Sequence, residues 1–114
     1  MLQLSSNTKY YFYNEVVDMR KGIYGLCGVV QNEIKMNIID RDVFIFLNRK
    51  HNTMKLLQWD GDGFSMYEKR LSRGTFEYEI EDGKPVILLT HYQLQCIIQG
   101  IVLKSIQMKR RFVV

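Results

Sequence analysis

Two strand-like segments joined by a four-residue turn constrain the fold of this 114-residue chain more than any other feature. Thr53 to Trp59 and Phe64 to Arg70 both have the character of β-strands. Between them stands Asp60-Gly61-Asp62-Gly63, and Asp-Gly pairs favour hairpin turns because they tolerate the positive backbone angles that such turns need. The sequence therefore predicts an antiparallel hairpin over these residues.

Further strands are predicted on both sides of this hairpin. The continuous apolar run Val43 to Leu47 favours a central strand covered on both faces, and the aromatic segment Lys9 to Tyr13 favours another strand. From Phe76 to Glu81, apolar residues alternate with glutamates, which predicts a half-exposed strand with an acidic outer face. Val86 to Leu89 is expected to form a short strand.

Two helices are predicted, one near each end of the chain. Four apolar residues recur at the spacing of one helical stripe: Ile23, Leu26, Cys27 and Val30. We therefore place a helix at about 19–32, with Asp18 as its N-cap. A second helix, at about 90–101, is expected to follow Thr90 as its N-cap.

Three glycines, Gly22, Gly25 and Gly28, recur at every third position of the first helix. Each one costs up to about 1 kcal/mol relative to alanine, so the spacing needs a reason. It clears one helix face of side chains. We expect that face to pack closely on the sheet; the alternative is close approach to a ligand or to a partner backbone.

Together these elements predict an α+β fold with a mainly antiparallel sheet in a single domain, residues 1–104, followed by a basic C-terminal tail, residues 105–114. Composition agrees, because 46% hydrophobic and 25% charged residues are ordinary for a soluble globular protein. No segment is apolar for long enough to cross a membrane, and the N-terminus lacks the features of a secretory signal, so a cytoplasmic location is expected.

Catalytic and metal chemistry find little support in the sequence. Cys27 and Cys96 are too few for a disulfide framework and are expected to be buried free thiols. Asp60 and Asp62 could share a divalent cation, but an EF-hand loop needs a glutamate where this chain has Leu71. We therefore favour turn chemistry there, and we expect no metal, no other cofactor and no catalytic residues.

Basic residues form a more coherent pattern. The net charge of +4 and the pI near 9.1 favour anionic partners only slightly, but the charge is segregated: residues 49–73 are basic, with interleaved aromatic side chains, and residues 77–82 are acidic. A basic hairpin of this kind could follow a phosphate backbone. The alternatives are a solvated hairpin whose aromatic residues belong to the core, and a protein-binding face.

Several strings in this sequence resemble, in order and at similar spacing, the TnpB-type accessory proteins of insertion sequence 66 (IS66) elements. The resemblance covers about residues 4–103 and rests on Asp18-Met19-Arg20-Lys21-Gly22, Gly25-Leu26, Val43-Phe44-Ile45-Phe46, Lys55 to Phe64, Tyr67-Glu68-Lys69-Arg70-Leu71, Gly74, Phe76, Leu88-Leu89-Thr90, Gln93-Leu94 and Gly100-Ile101.

The resemblance implies a small protein that is encoded beside the transposase of a bacterial mobile element and is needed for efficient transposition. Strand transfer belongs to the separate transposase, so no catalytic residue is implied, and the chain is expected not to be an enzyme. The turn at 49–52 is less basic than the arginine-rich turn typical of the family, and the basic tail becomes a second candidate for DNA contact. The residues given motif or structural roles are Asp18, Gly22, Trp59, Asp60, Gly61, Gly63 and Tyr67.

The leading hypothesis is an accessory protein that contacts DNA or the transposase–DNA complex, with the cognate transposase and other element-encoded proteins as partners. A second hypothesis is a protein–protein adaptor with no direct DNA contact. A third, a metal-dependent nuclease, rests on Asp60 and Asp62 alone. The candidate nucleic-acid contacts are Arg20, Lys21, Arg49, Lys50, Lys55, Lys69, Arg70 and Arg73.

Overall fold

The computed structural model describes residues 4, 7–77 and 84–99 of the chain, and five strands in it form one sheet. The strands are β1 (Tyr10–Val16), β2 (Val43–Leu47), β3 (Thr53–Trp59), β4 (Phe64–Arg70) and β5 (Val86–Leu89). Their order across the sheet is β4-β3-β2-β1-β5; β1 and β2 run parallel, and every other neighbouring pair is antiparallel. With helices α1 (Ile23–Gly28) and α2 (His91–Ile98), this arrangement confirms the predicted α+β fold.

β2 is the middle strand of the sheet and is buried along its whole length. Val43, Ile45 and Leu47 face one core, while Phe44 and Phe46 face the other. A continuous apolar sequence suits this position because both faces of the strand are covered. The prediction of a central strand is confirmed.

The first core lies between the sheet and α2. Leu94 and Ile97 of the helix pack with Tyr10 and Phe12 of β1, and Phe76 is buried with them. The helix begins in a capping box: the Gln93 N–H donates to the Thr90 hydroxyl at 3.1 Å, and the Thr90 N–H donates to the Gln93 side chain at 2.9 Å. The predicted N-cap Thr90 is thereby confirmed.

The second core lies between the other face of the sheet and α1, which continues directly into a π-helical segment, Val29–Ile34. Leu26 and Val30 are fully buried in this core. The segment ends at Lys35, whose left-handed φ of 61° turns the chain away from the helix. The predicted helical stripe is confirmed, although its second half has the wider π geometry.

The start of α1 differs from the prediction. Asp18 does not cap the helix; its carboxylate accepts the backbone N–H of Arg20 at 2.8 Å, and its carbonyl accepts the N–H of Lys21 at 3.0 Å. These bonds close a separate turn, so the helix begins only at Ile23, with Gly22 as its N-cap. An aspartate that bonds the backbone two residues ahead stabilises a turn as readily as a helix start.

The β3–β4 hairpin is confirmed with its predicted bounds, from the Thr53–Arg70 pair to the Trp59–Phe64 pair. In its turn the Asp60 N–H donates to the Gly63 carbonyl at 2.9 Å. Gly61 has a φ of +111°, a backbone conformation that residues with a side chain rarely adopt, so the turn needs glycine there.

Three predicted features reach beyond the described residues. They are the acidic strand after Glu77, residues 100–101 of the predicted second helix and the basic tail, residues 105–114; the helix itself ends at Ile98. Phe76 and Glu77, the first residues of the predicted acidic strand, are not in a strand.

Candidate nucleic-acid interface

The first group of predicted contacts lies in the turn between β1 and α1, residues 18–22. The Arg20 guanidinium donates to the Asp18 carboxylate, with its Nη2 at 2.6 Å from Oδ2. These hydrogen bonds lower the pKa of the Asp18 carboxyl to about 2 and raise the pKa of Arg20. Both side chains are solvent-accessible, so Arg20 is exposed but already carries a counter-charge. Lys21 is exposed beside them.

Lys55 lies behind this turn rather than on the surface. Its ammonium donates to the carbonyl oxygens of Met19 at 2.8 Å and Lys21 at 2.9 Å, and it lies 3.6 Å from the Glu68 carboxylate. Only 4% of the residue is exposed. The structure therefore corrects the prediction that Lys55 contacts nucleic acid: its ammonium holds the turn that carries Arg20 and Lys21.

The second group lies in the turn between β2 and β3, residues 48–52. The Asn48 side-chain oxygen accepts the backbone N–H groups of Asn52 at 3.0 Å and Thr53 at 3.1 Å, while the Asn48 amide donates to the Asn52 side chain at 2.7 Å. These bonds fix the turn, in which His51 adopts a left-handed φ of 56°. Arg49 and Lys50 are exposed at its tip.

The third group comprises the last residue of β4 and the segment after it, residues 70–76. The Leu71 N–H donates to the Asn52 carbonyl at 2.8 Å, and the Phe76 N–H donates to the His51 carbonyl at 2.6 Å. This segment therefore lies against the second turn. Arg70 and Arg73 are exposed on it, and the Arg70 guanidinium lies at 4.0 Å from the Glu68 carboxylate.

The strand directions bring all three segments to one end of the sheet. β1 and β2 both end there, β3 begins there and β4 ends there. The first two turns start side by side, because the Val17 N–H donates to the Leu47 carbonyl at 2.9 Å. We call residues 18–22, 48–52 and 70–76 the basic end. Its charged side chains are six cations and a single carboxylate, Asp18; the cations are Arg20, Lys21, Arg49, Lys50, Arg70 and Arg73.

The opposite end of the sheet is acidic. We call residues 40–42 and 60–63 the acidic end, because four aspartates and one arginine stand there: Asp40, Asp42, Asp60, Asp62 and Arg41. Arg41 donates to the Asp60 carbonyl at 3.0 Å. Burial, reinforced by the charge of Asp40, raises the pKa of Asp42. The molecule is therefore polarised along its strands.

Lys69 is set apart from the basic end by its contact. It points to the α2 side of the sheet, where its ammonium donates to the Ile98 carbonyl in the last turn of the helix at 2.9 Å. A cation at this point also interacts favourably with the helix dipole. Lys69 therefore holds α2 onto β4, and its half-buried side chain is engaged inside the molecule.

The acidic and aromatic motif residues of the hairpin have structural contacts. Ser65 donates to the Asp60 carboxylate at 2.6 Å, which suits turn chemistry. Trp59 packs edge-to-face on Phe64 with ring centroids 5.0 Å apart, and Tyr67 is 39% exposed on β4. Within residues 4, 7–77 and 84–99, no three His, Cys, Asp or Glu side chains gather into a group that could hold a metal ion.

The two cysteines are buried free thiols, as predicted. Burial raises the pKa of Cys27, which keeps its thiol protonated and unreactive at neutral pH.

The three glycines do not pack on the sheet, so that prediction is wrong. Gly22 and Gly25 are exposed and Gly28 is half-buried. A Cβ at position 25 would lie 3.1 Å from the Cβ of Lys21, so Gly25 leaves room for the Lys21 stem. Gly25 and Gly28 instead line an open cleft of about 520 Å³ between the end of β1 and the outer face of the helix, with Val16, Lys21, Asn32 and Glu33 among its other walls.

The sequence matches a family model over residues 8–108, described as IS66 Orf2 like protein. The chain belongs to the IS66 Orf2-like family. This confirms the resemblance drawn from the motif strings, and the family indicates an accessory role in IS66 transposition.

Two relatives of this IS66 Orf2-like chain come from Sinorhizobium fredii (strain NBRC 101917 / NGR234). Uncharacterized protein y4hO is 32% identical over 101 residues, which cover 89% of this chain and 87% of that protein. Uncharacterized protein y4jC is 29% identical over 68 residues, covering 59% of this chain and 58% of that protein. No solved structure matches the chain.

Two further features bear on the site of this IS66 Orf2-like chain. No helix in the described part of the chain is long and apolar enough to span a membrane. Tyr24, on the first turn of α1, is 86% exposed, and the sequence reasoning above did not single it out. Position 24 falls outside the buried stripe of the helix, and that is the signal that could have identified it.

Proposed function

We propose that this chain assists transposition in the bacterial cytoplasm by contacting DNA, alone or within the transposase–DNA complex, through the basic end. The observation that carries the proposal is the arrangement of six exposed cations on three adjoining segments, with four aspartates, Asp40, Asp42, Asp60 and Asp62, gathered at the opposite end. Phosphate contacts need clustered, accessible cations, and a polarised charge distribution orients a protein toward an anionic partner. A non-catalytic role fits a surface of this kind.

The geometry narrows the set of contacts. Two hydrogen-bonded segments carry three of these cations: the turn between β2 and β3 has Arg49 and Lys50, and the segment after β4 has Arg73. Lys21 stands on the neighbouring turn, and Arg70 is the last residue of β4. Arg20 shares its charge with Asp18. Lys55 and Lys69 support the turn and α2 from inside, so they are not among the contacts that we propose.

The test is DNA binding as a function of salt, with neutral variants at each end of the sheet. If the five cations other than Arg20 each contact a phosphate, affinity for a short duplex falls about 500-fold between roughly 50 and 200 mM salt. Lys50→Gln and Arg73→Gln should each reduce the slope of log affinity against log salt by about 1. Lys9→Gln removes the same charge next to the acidic end and is the matched control.

Absence of binding at low salt would refute direct DNA contact. Equal effects of Lys50→Gln and Lys9→Gln would show instead that only net charge matters and that the basic end is not the interface.

A second candidate function is a protein–protein adaptor within the transposition complex. It is supported by apolar side chains that remain exposed, namely Val16 at the cleft, Tyr67 on β4 and Leu88 on β5. Capture of the cognate transposase that survives nuclease treatment, together with no DNA binding by this chain alone, would favour the adaptor.

A further inference from the structure

Tyr24 is the most exposed of the large hydrophobic side chains in the described part of the chain. It is 86% exposed, whereas the others in this class range from 39% for Tyr67 to 59% for Leu88. An aromatic ring that contributes so little to the core is a better indicator of an interaction than a scattered exposed leucine.

The surroundings of Tyr24 leave the ring accessible. The next residue is Gly25, and one helical turn further on is Gly28; neither has a side chain that could cover the ring. Lys21, three residues before Tyr24, runs its stem across Gly25: its Cβ, Cγ and Cδ lie 3.1 to 3.7 Å from where a methyl group on Gly25 would stand. Tyr24 is therefore followed along the helix by two positions without side chains and preceded by an exposed lysine.

The ring also lies beside the basic end. α1 starts immediately after Gly22, the last residue of the first basic turn, and aromatic side chains on a helix lean toward its N-terminus. This tendency favours a ring directed toward the first basic turn, which ends two residues before Tyr24. An accessible aromatic ring next to a cluster of cations is the combination that single-stranded nucleic acids bind, with bases on the ring and phosphates on the cations.

We propose that Tyr24 is a stacking platform for an unpaired nucleobase and that the basic end therefore binds single-stranded DNA more tightly than duplex. The proposal rests on the proposed function and specifies its substrate. In a duplex the base faces are stacked on each other, so a duplex reaches the cations but not the ring. A single strand reaches both.

The experiment compares fluorescence-labelled oligothymidine with a duplex of equal length, at low salt, by anisotropy. Tyr24→Ala should weaken oligothymidine binding about 5- to 100-fold and leave duplex binding within about twofold, because base stacking on an aromatic ring is lost only from the single strand. Tyr24→Phe keeps the ring and should bind as the unchanged protein does.

Tyr92→Ala is the matched control. Tyr92 is 47% exposed on the first turn of α2. This helix follows Leu89, which pairs with Tyr10 at the start of β1, so Tyr92 lies away from the basic end. It should change neither affinity. Thermal unfolding of each variant verifies that the exposed substitutions leave the fold intact.

Four results would overturn the proposal. Equal weakening of single-strand and duplex binding by Tyr24→Ala would assign Tyr24 a general structural role. No effect of Tyr24→Ala, with both affinities reduced by Lys50→Gln, would remove the stacking platform and leave the proposed function standing; absence of any DNA binding would remove both. Loss of transposase capture by Tyr24→Ala at unchanged DNA affinity would make Tyr24 a protein contact.

Discussion

The ammonium of Lys55, buried in the sheet, lies 2.9 Å from the carbonyl oxygen of Lys21, an exposed lysine of the basic end. One lysine thus positions another. A second hydrogen bond, to the Met19 carbonyl at 2.8 Å, makes Lys55 a two-point support for the turn between β1 and α1. The candidate interface therefore depends on a cation that does not belong to its surface.

Replacing Lys55 tests this support. Lys55→Met keeps most of the length of the side chain but removes the charged donor from two carbonyl oxygens, so we expect a loss of about 1–3 kcal/mol in the free energy of unfolding. Urea unfolding measures the loss. Lys50→Met, on the exposed turn, is the control and should stay within about 0.5 kcal/mol.

If Lys55→Met were as stable as Lys50→Met, the two hydrogen bonds would not support the turn. Backbone amide chemical shifts give an independent readout: those of Arg20 and Lys21 should move in Lys55→Met and not in Lys50→Met.

The helix glycines allow a paired test of the packing around Lys21. At position 28 a methyl group would meet only the Asn32 side chain, at 3.9 Å, so Gly28→Ala should stabilise the protein by about 0.4–1 kcal/mol through the entropy of the unfolded chain. At position 25 the methyl group would meet Lys21 at 3.1 Å. Gly25→Ala should therefore gain less, or lose stability, in the same urea titration. An equal gain at both positions would show that the Lys21 stem moves aside freely.

Much of the fold could be predicted because local pattern encodes it. The bounds of β2, β3, β4 and β5 agree with the sequence prediction, since each strand is an apolar or alternating run bordered by Gly, Pro, Asn or Asp. The capping box at Thr90 is likewise a local signal.

The candidate site was less predictable because it depends on tertiary pairing. Only the parallel pairing of β1 with β2 brings the turn at 18–22 beside the turn at 48–52, and no local pattern encodes that neighbour. The burial of Lys55 could have been predicted from the strand pattern. Lys55 alternates with Met54 and Leu56 and shares the sheet face of Leu57, a core residue. Its position in the strand thus indicates burial, whereas its charge alone favours an exposed cation.

The Asp18–Arg20 pair predicts a specific acid titration. The folded pKa of Asp18, about 2, lies below its ordinary value of 3.8, so the stabilisation that the carboxylate provides is complete above about pH 4 and is lost as pH falls through 2. A carbon-13 NMR titration of the Asp18 carboxyl measures this directly. Arg20→Gln removes the main hydrogen-bond donor and should return the pKa toward 3.8. An unchanged low pKa in that variant would show that Arg20 is not its cause.

The same pair predicts a gain of function. In the unchanged protein the Asp18 carboxylate accepts the Arg20 backbone N–H at 2.8 Å. Asp18→Asn keeps a side-chain oxygen for this bond but removes the charge that holds the Arg20 guanidinium. If the basic end contacts phosphates, the released guanidinium adds a contact, and DNA affinity at low salt should rise several-fold with a salt slope steeper by about 1. Asp40→Asn makes the same change in net charge at the acidic end and should leave the slope unchanged. An equal rise in both variants would reduce the effect to net charge, and a fall in Asp18→Asn alone would mean that the carboxylate itself is needed to shape the turn.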